Sequence, residues 1–453
     1  MKLASTLRAS FATACILALA ACGGGGGDDS PAPAPAPTPA TDYQVGGTVS
    51  GLSTSGLVLA NGSSTATIGS GATSFQFTNR LATGAAYAVT IQSQPSGQTC
   101  SLTNASGTVA SADVTNIGVS CRNYVAYVTN YLSGTSAHAG AVDQLVLGTD
   151  GSVNRHATSL ATGSEPRNIV LSPNGKFAFV ANSNNVPLGN TISRFAVGSD
   201  GLLTAVTPST PTGAAPVDLA VTLDGGMLFS ANLEANAVGQ YSLGADGSLA
   251  ALATPSVATG PKAASIALSP DSKFAYVSNW NGATLSQFSV TPTGLVPLST
   301  PTVSTGSGPR EIEFTPDGKF AYVANQGSNS VSQYQVNANG TLTSLGTALP
   351  AGSQPWGLKV SPDGKSVYVA NLTGNSLSRY RIGADGRLTG AGTVPAGIGP
   401  HGMAFTPDGK FLFVTMQNDS TVMKFSVEAD GSLTLVSTTA LPAASLPWDI
   451  VIH

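Results

Sequence analysis

TPDGKFAYVAN, starting at Thr315, is one of six near copies of a single phrase. The others are SPNGKFAFVAN from Ser172, TLDGGMLFSAN from Thr222, SPDSKFAYVSN from Ser269, SPDGKSVYVAN from Ser361 and TPDGKFLFVTM from Thr406. A seventh copy at Tyr124 keeps only its second half, YVAYVTN. Aligned on Val128, Val180, Ser230, Val277, Val323, Val369 and Val414, the copies step by 52, 50, 47, 46, 46 and 45 residues. A period of this length, built from short β-runs and Gly turns, predicts propeller blades. Each blade has four strands. The first follows a Pro-x-x, as in Pro166, Pro216, Pro309, Pro355 and Pro400. The fourth repeat departs here, with Ser265-Ile266 after Pro261-Lys-Ala-Ala. The Asp-Gly turns between strands require positive φ, which explains the recurrent Gly. The N-terminal copy lacks a first strand, and Pro447 to His453 supplies one. Six full repeats and one composite therefore predict seven blades in a ring without free edges.

The rest of the chain divides around this ring. The expectation is an all-β chain, with a seven-bladed β-propeller over 123–453 preceded by a small β-sandwich over 43–122. Short alternating segments such as YQVGGTVSGL and AYAVTIQSQP support the sandwich. It resembles an immunoglobulin-like module of bacterial lipoproteins and reads as a stalk. Residues 22–42, rich in Gly and then Pro, read as a tether. Residues 1–21 read as a signal peptide: basic Lys2 and Arg8, then an apolar run too short to span a membrane. Leu19-Ala-Ala-Cys22 resembles the bacterial lipoprotein processing site. That resemblance implies lipid on Cys22 and, with Gly23 following, the outer membrane of a Gram-negative cell. Cys15 leaves with the signal. Cys100 and Cys121 remain as an even pair in an oxidising compartment, and a disulfide is expected. A metal or redox role for this pair lacks a CxxC or His cluster.

Composition excludes other classes. Charged residues are 9% and the net charge is -4, so no basic patch is available for nucleic acid. There is no Walker motif, G-x-S-x-G elbow or C-x-x-C-H, and no cofactor is expected. The repeated Asp-Gly-Lys reads as turn chemistry. The Asn of V-A-N, present in most blades, reads as a loop cap.

A functional site should break the sevenfold symmetry. At the Pro-x-x mouth, blades five, six, seven, one and two carry Arg310, Glu311, Trp356, His401, Trp448, Asp449 and Arg167. Trp280 and His138 lie in loops expected to face the same way. A metal site from His138, His401 and Asp449 lacks ligand spacing.

Tyr127-Val-Thr-Asn130 spells the signature of the YVTN-repeat propellers. The whole of 123–453 resembles the seven-bladed lactonase family, which includes 6-phosphogluconolactonase. The resemblance implies a lactone-opening site in which His401 or Glu311 activates water. Arg167 and Arg310 would then stabilise the oxyanion or hold a substrate carboxylate. Gly308-Pro309-Arg310 resembles the family's G-P-R-H, with Glu311 in place of the His. That departure, together with export, favours a second reading. In it the mouth is a binding or scaffold module for a small ligand, glycan or protein, with Trp356, Trp448, Asp449, Trp280 and His138 as its contacts. The lactonase is the alternative.

Overall fold

In the computed structural model, residues 42–131, 140–183 and 190–453 are described. The signal, the tether with Cys22, and His138 lie outside them. Residues 42–453 form one compact unit, and all regular elements among the described residues are strands, as expected.

Each repeat makes one antiparallel sheet whose strands run in chain order from the inner to the outer edge. In blade five the order is Pro309–Phe314, Phe320–Asn325, Ser330–Val336 and an outer strand split into Leu342–Ser344 and Leu349–Pro350. The second strand is buried on both faces, because neighbouring blades cover it from each side. Ala321, Tyr322, Val323 and Ala324 are all fully buried. This explains why the FAYVAN phrase is a continuous apolar run rather than an alternating one. The outer strands are mostly exposed, as in Leu203–Pro211, where Leu203 is buried and only Val206 and Thr210 are half-buried.

The turns behave as the sequence implies. Thr315 donates to Asp317 Oδ1 at 2.6 Å, and the same oxygen accepts from Lys319 N at 3.1 Å. Gly318 between them has φ 70°, which glycine adopts without steric cost. Asn325 Nδ2 donates to Ser330 and Ser332 at 3.2 and 2.9 Å, which closes the loop after V-A-N.

The ring closes as expected. Val125–Asn130 pairs on one side with Ala141–Leu147 and on the other with the C-terminal strand Pro447–Ile452. Val128 lies opposite Ile450, and Tyr127 opposite Val451. In blade four, Ala263 pairs with Asn279 in the register that Pro309 keeps with Asn325. The deviant sequence therefore preserves the backbone.

Before the ring lie two four-stranded sheets. One orders Ser74–Gln76, Val45–Ser50, Val114–Asn123 and Gln98–Thr103. The other orders Ser64–Ile68, Leu57–Asn61, Ala86–Ser93 and Ser106–Thr108. Val45, Leu57, Leu59, Phe77 and Ile117 are fully buried in their common core. Cys100 and Cys121 face each other on paired strands and form the expected disulfide.

Candidate functional site

The inner strands of the seven blades line the central channel. Two successive residues after each Pro, or after Ala263, form its mouth. The first of each pair makes a rim of Trp448, Arg167, Val217, Ala264, Arg310, Trp356 and His401, taken in ring order. The second makes a floor of Asp449, Asn168, Asp218, Ser265, Glu311, Gly357 and Gly402. All of these except Gly357 line one cavity of about 320 Å³, together with Leu233 and Trp280. That volume is in the range of small-molecule sites. The structure thus brings together Arg167, Arg310, Glu311, Trp280, Trp356, His401, Trp448 and Asp449.

The rim is built from stacked rings. The Arg310 guanidinium lies 3.7 Å from the Trp356 ring centroid and 4.7 Å from that of Trp280. Arg167 lies 3.9 Å from Trp448 and 4.6 Å from Tyr131. The residue following each blade's V-A-N Asn fixes the guanidinium: Gln326 Oε1 accepts from Arg310 Nε at 2.8 Å, and Ser183 Oγ from Arg167 Nε at 3.0 Å. Gln326 also holds the Trp280 indole N–H at 3.2 Å. The carboxylate nearest Arg167 is that of Glu165, at 3.9 Å. Arg310 has no carboxylate partner among the described residues. Burial and the charge of Arg167 disfavour its ionised form and push its pKa down. A guanidinium nonetheless keeps its proton, so the site holds a poorly compensated cation.

His401 sits between the two indoles, with centroids 4.7 Å from Trp356 and 4.2 Å from Trp448, and is 2% exposed. It fits there because of two glycines. A Cβ on Gly357 would lie 2.1 Å from the His401 carbonyl oxygen. One on Gly402 would lie 2.7 Å from the Trp448 carbonyl oxygen. His401 Nδ1 donates to that Trp448 oxygen at 2.8 Å, which places the lone pair on Nε2. Nε2 is buried without a polar partner among the described residues. Burial holds the ring's pKa well below the ordinary histidine value, and both arginines add to this. The imidazole is therefore neutral. Its ring is covered by the two indoles on either side.

Glu311 is also engaged. Its Oε2 accepts from Leu358 N at 2.8 Å, and its Oε1 is paired with Lys359. Lys359 also pairs with Glu313, one layer down the channel. Both carboxylates raise the Lys359 pKa well above its usual value, against the desolvation that would lower it. This triad was missed in the sequence. Its signal was available: the equivalent channel positions are Val170, Ala220, Ala267, Ala404 and Val451, so Glu313 and Lys359 break the symmetry at a strand period of two.

The floor carboxylates Asp218 and Asp449 differ from Glu311. Burial pushes Asp218 up to about 7 and Asp449 up to about 6, with neighbouring acids adding to both. Asp218 accepts from Ile266 N at 2.9 Å and Asp449 from Ile169 N at 3.2 Å, each in the next blade. No cluster with metal-ligand geometry occurs among the described residues.

The model of a family described as lactonase, 7-bladed beta-propeller, matches residues 125–446. The chain belongs to this lactonase family. A putative 6-phosphogluconolactonase from Bacteroides fragilis is similar in structure. It has a TM-score of 0.65 at 23% identity, over 73% of this chain and 98% of that one. A counterpart from Bacteroides uniformis gives 0.63 at 21% identity, over 73% and 99%. Both likenesses bear on the fold alone. The periplasmic gluconolactonase of Pseudomonas aeruginosa gives 0.63 at 25% identity, over 73% and 98%. No curated protein matches the chain. Seen as a lactonase-family propeller, the chain keeps the family's Gly-Pro-Arg at 308–310 and places Glu311, tied to Lys359, where the resemblance implies a His.

Proposed function

We propose that this chain is a lactone hydrolase acting on a polyhydroxylated lactone at the channel mouth. One observation carries the reading. Two half-buried guanidiniums, Arg167 and Arg310, stack on indoles at the border of one cavity floored by acids; Arg167 has Glu165 at 3.9 Å, and Arg310 has no carboxylate partner among the described residues. In lactone opening the carbonyl oxygen gains negative charge, and fixed cations aimed at that charge lower the barrier. Indole faces and carboxylates together suit a sugar-like ring, one for its apolar face and the other for its hydroxyls. The likeness to a periplasmic gluconolactonase supports the same class. Purified protein should open glucono-δ-lactone faster than buffer alone, and Arg310→Ala should lower kcat/KM by about 10²-fold or more.

A binding role without turnover is the second reading, favoured by the engagement of Glu311 and the cover over His401. It expects ligand retention without hydrolysis, with Trp356→Ala or Trp448→Ala weakening the ligand by about 1 kcal/mol or more.

Membrane anchoring belongs to the same proposal, on the sequence around Cys22. The protein should fractionate with membranes, and Cys22→Ser should release it or block its processing. Unchanged fractionation would refute the anchor.

A further inference from the structure

We infer that Asp449 is the group that activates water in this site. The inference rests on the lactone hydrolase reading and names the base that the family resemblance would have placed at residue 311 or 401.

At four floor positions the side chain has a structural task, to accept a backbone N–H from the next blade. Asn168 Oδ1 takes Leu219 N at 3.1 Å, Asp218 takes Ile266 N and Glu311 takes Leu358 N. The first of these shows that an amide performs the task. A carboxylate at this depth costs desolvation that an amide avoids. Its presence at 449 therefore points to a second task.

The four acids around the channel are unequally free. Glu311 uses both oxygens, and Glu313 is paired with Lys359. Asp218 accepts from Ile266 N through Oδ2 and from Leu219 N through Oδ1 at 3.0 Å. Asp449 takes Asn168 Nδ2 at 3.0 Å and Ile169 N at 3.2 Å through Oδ2, and its carboxylate is also stabilised by the Ile450 N–H. Its Oδ1 has no side-chain partner among the described residues. A Cβ at position 402 would lie 2.8 Å from that oxygen, so Gly402 leaves it uncovered. The backbone is fixed as well: Asp449 N donates to Thr129 Oγ1 at 3.0 Å, and the Trp448 carbonyl accepts from His401 and Thr415. A base must be held this way to be oriented at no cost during the reaction.

The step balances within the site. Asp449 Oδ1 takes a proton from water as the water oxygen bonds to the lactone carbonyl carbon. The carbonyl π pair moves to its oxygen, beside the guanidiniums. When that pair returns, the ring C–O bond breaks, and the departing alkoxide takes the proton from Asp449. The product is the open hydroxy acid, which ionises to its carboxylate. Asp449 is raised by burial first and by Glu311 second, with Lys359 opposing. Its pKa of about 6 leaves it ionised at neutral pH and basic enough to act.

The test uses the full chain, glucono-δ-lactone, and a subtracted no-enzyme rate. Asp449→Asn keeps an acceptor for Ile169 N and should melt near wild type. Its kcat should fall by about 10²-fold or more with KM changed little. The wild-type rate should fall as pH drops through about 6, and this limb should vanish in the variant. Asp218, Glu311, Lys359, His401, Arg167 and Arg310 face the same cavity, so loss of the limb in this variant alone assigns it. Formate should restore part of the rate to Asp449→Ala. A folded Asp449→Asn protein with wild-type kcat overturns the inference while the hydrolase reading stands. Wild-type protein without turnover overturns that reading, and this inference with it.

Discussion

Arg310 is a cation that the fold has packed against indoles and left without a carboxylate partner among the described residues. Its planar guanidinium covers Trp356 and reaches Trp280, while Gln326 fixes Nε. A lysine ammonium keeps the charge but has no plane to stack and only one nitrogen to aim. Arg310→Lys should therefore recover little of the activity lost in Arg310→Ala, with both variants compared by kcat/KM on one lactone. Full recovery by lysine would mean that charge alone matters. At the far end of the chain, His453 shows the opposite arrangement. Arg122 Nη2 lies 2.7 Å from its Nδ1, and burial, followed by the Arg122 charge, pushes the His453 pKa down to about 4. The folded state thus binds this proton more weakly than the unfolded chain, whose histidine titrates near the ordinary 6.5. The resulting stabilisation is present above about 6.5 and is lost as pH falls towards about 4. His453→Gln removes the titration. The stability difference between wild type and variant, from urea melts, should narrow with acidification across that window. A difference constant from pH 7 to 4 would show that the ring is not held neutral.

Between elements, the blades are stapled by side chains that the sequence repeat carried without revealing their partners. The Tyr of FAYVAN donates to the Gly carbonyl in the next blade's Asp-Gly or Asn-Gly turn. Tyr276 reaches Gly340 at 2.6 Å, Tyr322 reaches Gly386 at 2.8 Å and Tyr368 reaches Gly431 at 2.7 Å. The Gln of the third strand does similar work, with Gln287 accepting from Leu342 N at 2.8 Å and Gln333 from Leu388 N at 2.9 Å. Phe179, Phe229 and Phe413 occupy the Tyr position in other blades, so the ring tolerates losing single staples. Tyr322→Phe should then cost about 1 kcal/mol, read as a lower urea midpoint at unchanged m-value. A loss several times larger would mean that the blades do not share the load. These pairings also mark what the sequence could disclose. Strands and turns were legible because each repeats its own local chemistry. The mouth was legible because Pro and the V-A-N Asn fix the same end of each blade. Lys359 against Glu311 was not, because the partners come from different blades 48 residues apart. The covered His401 was not either, because its burial depends on Gly357 in one neighbouring strand and Trp448 in another.

For the whole molecule, one short strand serves both stability and chemistry. Pro447–Ile452 is the inner strand of blade one, and it closes the ring against Val125–Asn130. The C-terminal His453 extends this pairing through mutual backbone bonds with Val125, both at 2.9 Å. The same strand delivers Trp448 and Asp449 to the mouth. Removing residues 447–453 would bare the N–H and C=O groups of Val125–Asn130 along one edge. It would also expose Ala126 and Val128, which are now fully buried. Unpaired buried backbone is costly, and an open apolar edge recruits other chains. The truncated protein should lose its cooperative melt or aggregate, as seen by calorimetry and light scattering. Restoring the strand in trans, as a synthetic peptide of residues 445–453, should recover part of the melt if closure is the cause. A peptide carrying Asn in place of Asp449 should recover the melt equally well, because Asn168 already shows that an amide can make the inter-blade bond. Lactone turnover should return only with the wild-type peptide. Recovery of both properties by both peptides would remove Asp449 from the reaction. A truncated chain that melts like the full protein would show that the first blade needs no inner strand.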